Sequence, residues 1–255
     1  MDRAAKWKTL YRAGAVAPLV ALLFYLTEFS ILFLGEPYPS TVLGWYALIQ
    51  RGRLLGLWYL NALDILSFAF LGIMYLALYV ALRRVRPSAT LIALYLAMLG
   101  IVVFIVPRVL QLALLPLSDL HAEAATEAQR AIYLAAGEAL SYVTTATPQT
   151  LGFLFMAAAG LIISTVLLSG RTFGRTAGYV GIVGFVAALA NYASHLLAPQ
   201  VAEMLMPING LLWFVWWILI SGWLFRLAGS TSNRESGSVE GQAGKEAQCS
   251  LDTSP

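Results

Sequence analysis

The chain reads as an all-α polytopic membrane protein, a bundle of six transmembrane helices with an extra external amphipathic helix. Hydrophobic residues make up 60% of its 255 positions and charged residues 11%, with a mean hydropathy of +0.76; in soluble domains about a quarter of residues are charged. Six apolar segments, at about 13–34, 57–82, 89–115, 148–169, 176–198 and 208–227, each supply the roughly 20 residues a helix needs to cross a hydrocarbon core of about 30 Å. The ten-residue alternating segments of a membrane β-barrel are missing.

Taken in order, the first apolar segment is too long for a signal-peptide core and lacks a small-residue cleavage pattern, so it is expected to remain as an anchor. Pro37 to Gly56 mixes Trp45 and Tyr46 with Arg51 and Arg53, which suits either a short helix at the membrane interface or a plain loop. His121 to Thr147 is mostly good helix formers and places Ile132, Ala136, Ala139, Leu140 and Val143 on one face, the pattern of the extra amphipathic helix. Thr144, Thr145 and Thr147 before Pro148 mark a break ahead of the fourth span, because proline disfavours helical geometry at its predecessor. Gly174, Gly178, Gly181 and Gly184 lead into the fifth span at three- and four-residue steps, which lets another backbone approach; internal packing is favoured over a homodimer seam. Trp213, Trp216, Trp217 and Trp223 in the last span read as bulky packing residues and interface anchors. Residues 229–255 are rich in Ser, Gly, Glu and Gln, contain no aromatic residue and are expected to form a disordered cytoplasmic tail.

Lys and Arg set the expected orientation. Arg3, Lys6, Lys8 and Arg12 precede the first span, Arg83, Arg84 and Arg86 follow the second, and Arg171 and Arg175 follow the fourth, all on one side. The opposite connections carry Arg51, Arg53 and Arg130 among Glu36, Asp119, Glu123, Glu127 and Glu203. The positive-inside rule then puts both termini in the cytoplasm and the protein in the inner (plasma) membrane. The formal charge of +3 is spread over short clusters flanking apolar segments, so nucleic acid is not an expected partner; the lipid bilayer is.

Several chemistries are argued against. No serine has glycine two residues before it, as rhomboid-type proteases need, and His121 and His195 are too few for a ceramidase-type or zinc-protease centre. No phosphate loop, dinucleotide fingerprint or pair of haem ligands is legible, and the single Cys249 has no metal-ligand spacing. No cofactor, metal or catalytic residue is expected.

The informative residues are the polar ones inside the spans. Asp64 lies 18 residues from Leu82 and Arg108 lies 19 from Ala89, so both sit about 27–29 Å from the cytoplasmic face. Each costs about 2.5–3.5 kcal/mol at the centre of a membrane helix, which favours an inward-facing pair. Glu28, Asn191, His195 and Asn209 fall at heights of about 22–29 Å by the same count. Asn61 with Asp64, Arg108 with Gln111, and Asn191 with His195 share helix faces. If these faces converge, an outward-facing polar chamber is lined by Glu28, Asn61, Asp64, Arg108, Gln111, Asn191 and His195, with Glu138 from the external helix. Three carboxylates against Arg108 leave this set two charges negative with His195 neutral, a balance that a proton, a cation or an amine-bearing ligand would restore. The bland alternative is a register-fixing ion pair with Glu28 and His195 snorkelling to the interface.

Tyr11-Arg12-Ala13-Gly14 opening the first span, Asn61 and Asp64 in the second, and Arg171-Thr172-Phe173-Gly174-Arg175 leading to Gly178-Tyr179-Val180-Gly181 together resemble a family of prokaryotic six-span membrane proteins known only as a domain of unknown function. The resemblance covers roughly residues 10–227 and implies a helical membrane bundle in a bacterial or archaeal cell, with no catalytic residues to carry over. The expected function is binding or passage of a small solute or cation through the chamber. The rival is a non-catalytic scaffold or accessory subunit with a membrane-protein partner, and an enzyme acting on lipids comes third.

Overall fold

The computed structural model describes residues 7–35, 37–145, 148–169, 174–197, 200 and 207–229, without the side chains at 31–34, 145, 148–150 and 195–197. The expected tail beyond Gly229, the basic residues Arg3, Lys6 and Arg171, and Thr147 in the expected break lie outside the described residues. The described chain is helical with no strand: α1 (Lys8–Leu34), α2 (Val42–Arg51), α3 (Arg53–Tyr59), α4 (Ala62–Leu82), α5 (Pro87–Gln111), α6 (Leu114–Glu123), α7 (Glu127–Thr145), α8 (Pro148–Ser169), α9 (Arg175–Leu197) and α10 (Pro207–Gly229). Among them α1, α4, α5, α8, α9 and α10 are long and apolar enough to cross a membrane. The protein is an all-α, multi-pass integral membrane protein.

These six helices pack in a closed circuit, and small residues decide who neighbours whom. Lipid tails are as apolar as leucine side chains, so close backbone approach does what hydrophobic burial does in water. Gly14 of α1 lies against Ala77 of α4, beside the fully buried Ala15, Ala17 and Ala21. Gly100 of α5 faces Gly152 of α8, where the two backbones cross in close contact. Gly160 of α8 receives the Phe185 ring of α9, Gly184 of α9 faces Leu212 of α10, and Ser221 Oγ of α10 donates to the Ala15 carbonyl of α1. Gly178 and Gly181 pack on Leu168 and Ser164 of α8, with Trp216 of α10 also against Gly181, so this glycine face is an internal seam. Trp213, Trp216 and Trp217 are likewise buried in the core.

At one end of the bundle, α2, α6 and α7 form a cap with a small core of its own: Val42, Tyr46, Ile49, Leu60, Leu114 and Leu115. Two expected spans are shortened by it. The segment 57–82 breaks at Asn61, whose φ of 53° and ψ of 45° are left-handed, a conformation asparagine tolerates better than most side chains. The chain therefore turns between α3 and α4 instead of running on as one rod. At the other junction α5 stops at Gln111, and Leu112 and Ala113 lead directly into α6. Tyr46 donates its hydroxyl to the Tyr133 carbonyl at 2.9 Å, tying α2 to α7.

Candidate functional site

The ionisable residues meet where α1, α4 and α5 approach the cap. Asp64 Oδ2 lies 3.3 Å from Arg108 Nη2, and the two side chains are only 7% and 14% exposed. Arg108 Nη1 donates to Gln111 Oε1 at 3.2 Å, one turn along α5, and its guanidinium sits 5.3 Å from the centre of the Phe104 ring. Glu28 of α1 and the Tyr25 hydroxyl are close enough to Asp64 to interact with it electrostatically. Glu28 Oε1 and Asp64 Oδ1 are both buried without a hydrogen-bond partner among the described residues. A buried carboxylate oxygen with no donor is costly unless a proton, a cation or water reaches it.

Among the described residues, the side chains of Asn61, Glu138 and Asn191 make no hydrogen bond or ion pair with those of Asp64 or Arg108. Asn61 is half-buried, and from its left-handed position before α4 its Oδ1 accepts from the Tyr38 hydroxyl at 3.0 Å. Asn191 is buried in α9 with its Oδ1 unpartnered among the described residues, in the same condition as Asn209 Oδ1 of α10. His195 belongs to α9, but its side chain lies outside the described residues. Glu138 is exposed on α7.

Glu138 instead lines a cavity of about 570 Å³ between α2, the end of α5 and α7, together with Tyr38, Trp45, Gln111, Ser141 and Tyr142. Gln111 is thus shared: one side belongs to the cavity, and its Oε1 holds Arg108. A polar line runs from the cavity through Gln111, Arg108 and Asp64 to Glu28. Burial, with Glu138 nearby, raises the Tyr46 hydroxyl above the usual tyrosine range, so it remains a proton donor to α7 at any physiological pH. Gly137 makes that wall possible, since a Cβ there would run into the Tyr46 hydroxyl and lie 2.7 Å from Val42 Cγ1. Gly137→Val is expected to part α7 from α2 and lower the thermal midpoint by several degrees, read by fluorescence unfolding in detergent; an unchanged midpoint would show that the wall is not built on this contact.

About one turn from the ion pair, aromatic rings of several helices meet, a feature that the polar residues of the spans do not announce. Tyr25–Phe68 (6.4 Å between centroids), Phe68–Phe104 (3.9 Å), Phe104–Phe153 (5.0 Å), Phe153–Trp213 (6.0 Å), Trp213–Trp217 (6.3 Å) and Trp217–Tyr25 (5.7 Å) form an unbroken circuit drawn from five helices. Tyr192 of the sixth stacks on Phe153 at 5.7 Å and 7°. The signal lies in the spacing: Tyr25 precedes Glu28 by three, Phe68 follows Asp64 by four, Phe104 precedes Arg108 by four and Trp213 follows Asn209 by four. Because the helices alternate in direction, each offset drops the ring about one turn below the polar layer, on the side away from the cap.

No group of three or more His, Cys, Asp or Glu side chains converges to hold a metal ion among the described residues. No curated protein and no solved structure matches this chain. A family model described as a domain of unknown function, DUF4386, matches residues 47–226, which takes in Asn61, Asp64, Arg108, Gln111, Glu138, Asn191 and His195 and leaves Glu28 outside. The resemblance to a family known only as a domain of unknown function is borne out over these residues, which do not include Tyr11-Arg12-Ala13-Gly14: the chain belongs to the DUF4386 family.

Proposed function

We propose that this protein binds a small solute in a polar chamber that opens to the outer face of a prokaryotic inner membrane, with Asp64 and Arg108 as the organising ion pair. The observation that carries the reading is the continuous polar line from the cavity through Gln111 and Arg108 to Asp64, ending on an aromatic floor. A pair kept only for helix register has no need of a connection to a cavity at the bundle end. The ring circuit lies about one turn below the ion pair, so passage of a solute requires these rings to part, a second arrangement of the bundle. Arg83, Arg84, Arg86 and Arg175 lie at the end opposite the cap, which supports a cytoplasmic position for both termini. The scaffold alternative loses one of its surfaces, because the glycine face of α9 is packed against α8 and α10.

The test is directional labelling. In a Cys249→Ser background, Gln111→Cys is expected to react with a membrane-impermeant thiol reagent added outside intact cells, while Ala97→Cys, fully buried in α5, stays unlabelled. A Gln111→Cys protein that is folded yet labelled only after permeabilisation, or not at all, would sink the outward-opening reading.

A further inference from the structure

We propose that the cavity between α2, α5 and α7 takes an organic ammonium ion, either a free amine or quaternary ammonium solute or a lipid headgroup of the same chemistry, held by Glu138 and the faces of Tyr38, Trp45 and Tyr142. This deepens the solute-binding reading and rests on it.

The sign of the ligand follows from the wall. Among the described residues lining the cavity Glu138 is the one that carries a charge, and the lining contains no Lys, Arg or His. The described arginines of α2, α3, α5 and α7 have partners of their own: Arg53 pairs with Asp119 at 3.2 Å, Arg130 with Glu127 at 3.0 Å and Arg108 with Asp64 at 3.3 Å, and Arg51 is engaged as well. An anion would therefore meet Glu138 with no cation in the described lining to offset it. The size follows from the volume, since about 570 Å³ lies in the range of small-molecule sites, roughly 300–1,000 Å³, and far exceeds a bare ion. A dehydrated metal ion also wants several convergent oxygens, whereas an alkylammonium group needs one carboxylate and the negative faces of aromatic rings.

Two of the three rings, Tyr38 and Trp45, are held in place before any ligand arrives, while Tyr142 stands exposed at the rim. Tyr38 is fixed by its hydroxyl bond to Asn61 and by the rings of Trp45 (6.0 Å, 43°) and Tyr59 (5.6 Å, 75°). The left-handed backbone at Asn61 thereby gains a role, as it presents the acceptor that orients Tyr38. Trp45 stands on α2, whose first turn is capped by Thr41 Oγ1 accepting from Gly44 N at 3.1 Å. Preorganised rings lose little freedom on binding.

Calorimetric titration of the full chain in phosphatidylglycerol nanodiscs with choline chloride is the experiment. Choline is expected to bind at least tenfold more tightly than its neutral isostere 3,3-dimethylbutan-1-ol, and Glu138→Gln and Trp45→Leu are each expected to weaken it about tenfold, with Trp45→Phe within about threefold of the parent. Phosphatidylcholine nanodiscs separate the sources: lost affinity for free choline means that the headgroup occupies the cavity, and unchanged affinity means a free solute. Equal binding of the isostere, no effect of Glu138→Gln, or no binding at all overturns the proposal. If Gln111→Cys is still labelled from outside when that happens, only the ligand assignment falls; if it is not, the chamber falls with it.

Discussion

Alanine in place of Arg108 is expected to destabilise the bundle by about 3–5 kcal/mol, the usual cost of removing one partner from a buried ion pair. The magnitude follows from what would be left behind. Asp64 is 7% exposed on its side chain, Oδ2 would lose the guanidinium 3.3 Å away, and Oδ1 already lacks a partner among the described residues. Glu28 lies beside it, so the vacancy would hold two carboxyl groups and no cation. Asp64→Asn keeps the shape and removes the charge, leaving Arg108 with Gln111 and the Phe104 ring, and should cost less. Combining it with Arg108→Ala should recover part of the loss, giving a coupling energy of about 1–3 kcal/mol. Denaturant titration in mixed micelles measures all four corners of this cycle. A loss below about 1 kcal/mol for Arg108→Ala, or strict additivity, would mean that water already solvates the pair and that it does not organise the site.

Valine at position 100 is expected to cost about 3 kcal/mol, at the upper end of overpacking effects, because the clash is with backbone. A Cβ on Gly100 would lie 2.7 Å from the Gly152 carbonyl oxygen and 3.1 Å from the Met156 nitrogen. The reciprocal atom on Gly152 would lie 3.0 Å from the Gly100 oxygen and 3.1 Å from the Phe104 nitrogen, so neither helix can yield by turning a side chain. Separating α5 from α8 would also pull Phe104 from Phe153 and open the aromatic floor directly beneath Arg108. Ala97→Cys in that background should then become reactive, linking the packing defect to the site. Gly222→Ala in α10 is the control: nothing lies within 4 Å of the place its methyl group would take, and alanine favours a helix over glycine by up to about 1 kcal/mol. Comparable thermal midpoints for the two variants would refute the claim that the backbone crossing holds the floor closed.

Depth was legible from the residues alone. Helix rise converts sequence distance into height, and the cost of burying charge in hydrocarbon marks which residues must face inward; this is why counting along two spans brings Asp64 and Arg108 to one level, and they meet at 3.3 Å. The same count could not distinguish Asn61 from Asp64 in role. Three residues apart on an ideal rod they share a face, but the left-handed turn at Asn61 sends one to Tyr38 and leaves the other on Arg108. Nor could it place Glu138, which is a wall of the cavity and not a member of the buried knot.

The all-α class, the membrane and the polar level were determined by the amino-acid sequence itself, because hydropathy, helix geometry and desolvation act residue by residue along one axis. Rotation about that axis was decided only in the tertiary structure. Which helices neighbour each other depends on where Gly14, Gly100, Gly152 and Gly160 let distant segments touch, and the aromatic floor exists only once five helices bring their rings to the same height. The cavity likewise needs α2, α5 and α7 together, and the structure leaves Ile132 and Val143 of the face that periodicity marks as apolar on α7 exposed, while Gly137 makes the contact with α2.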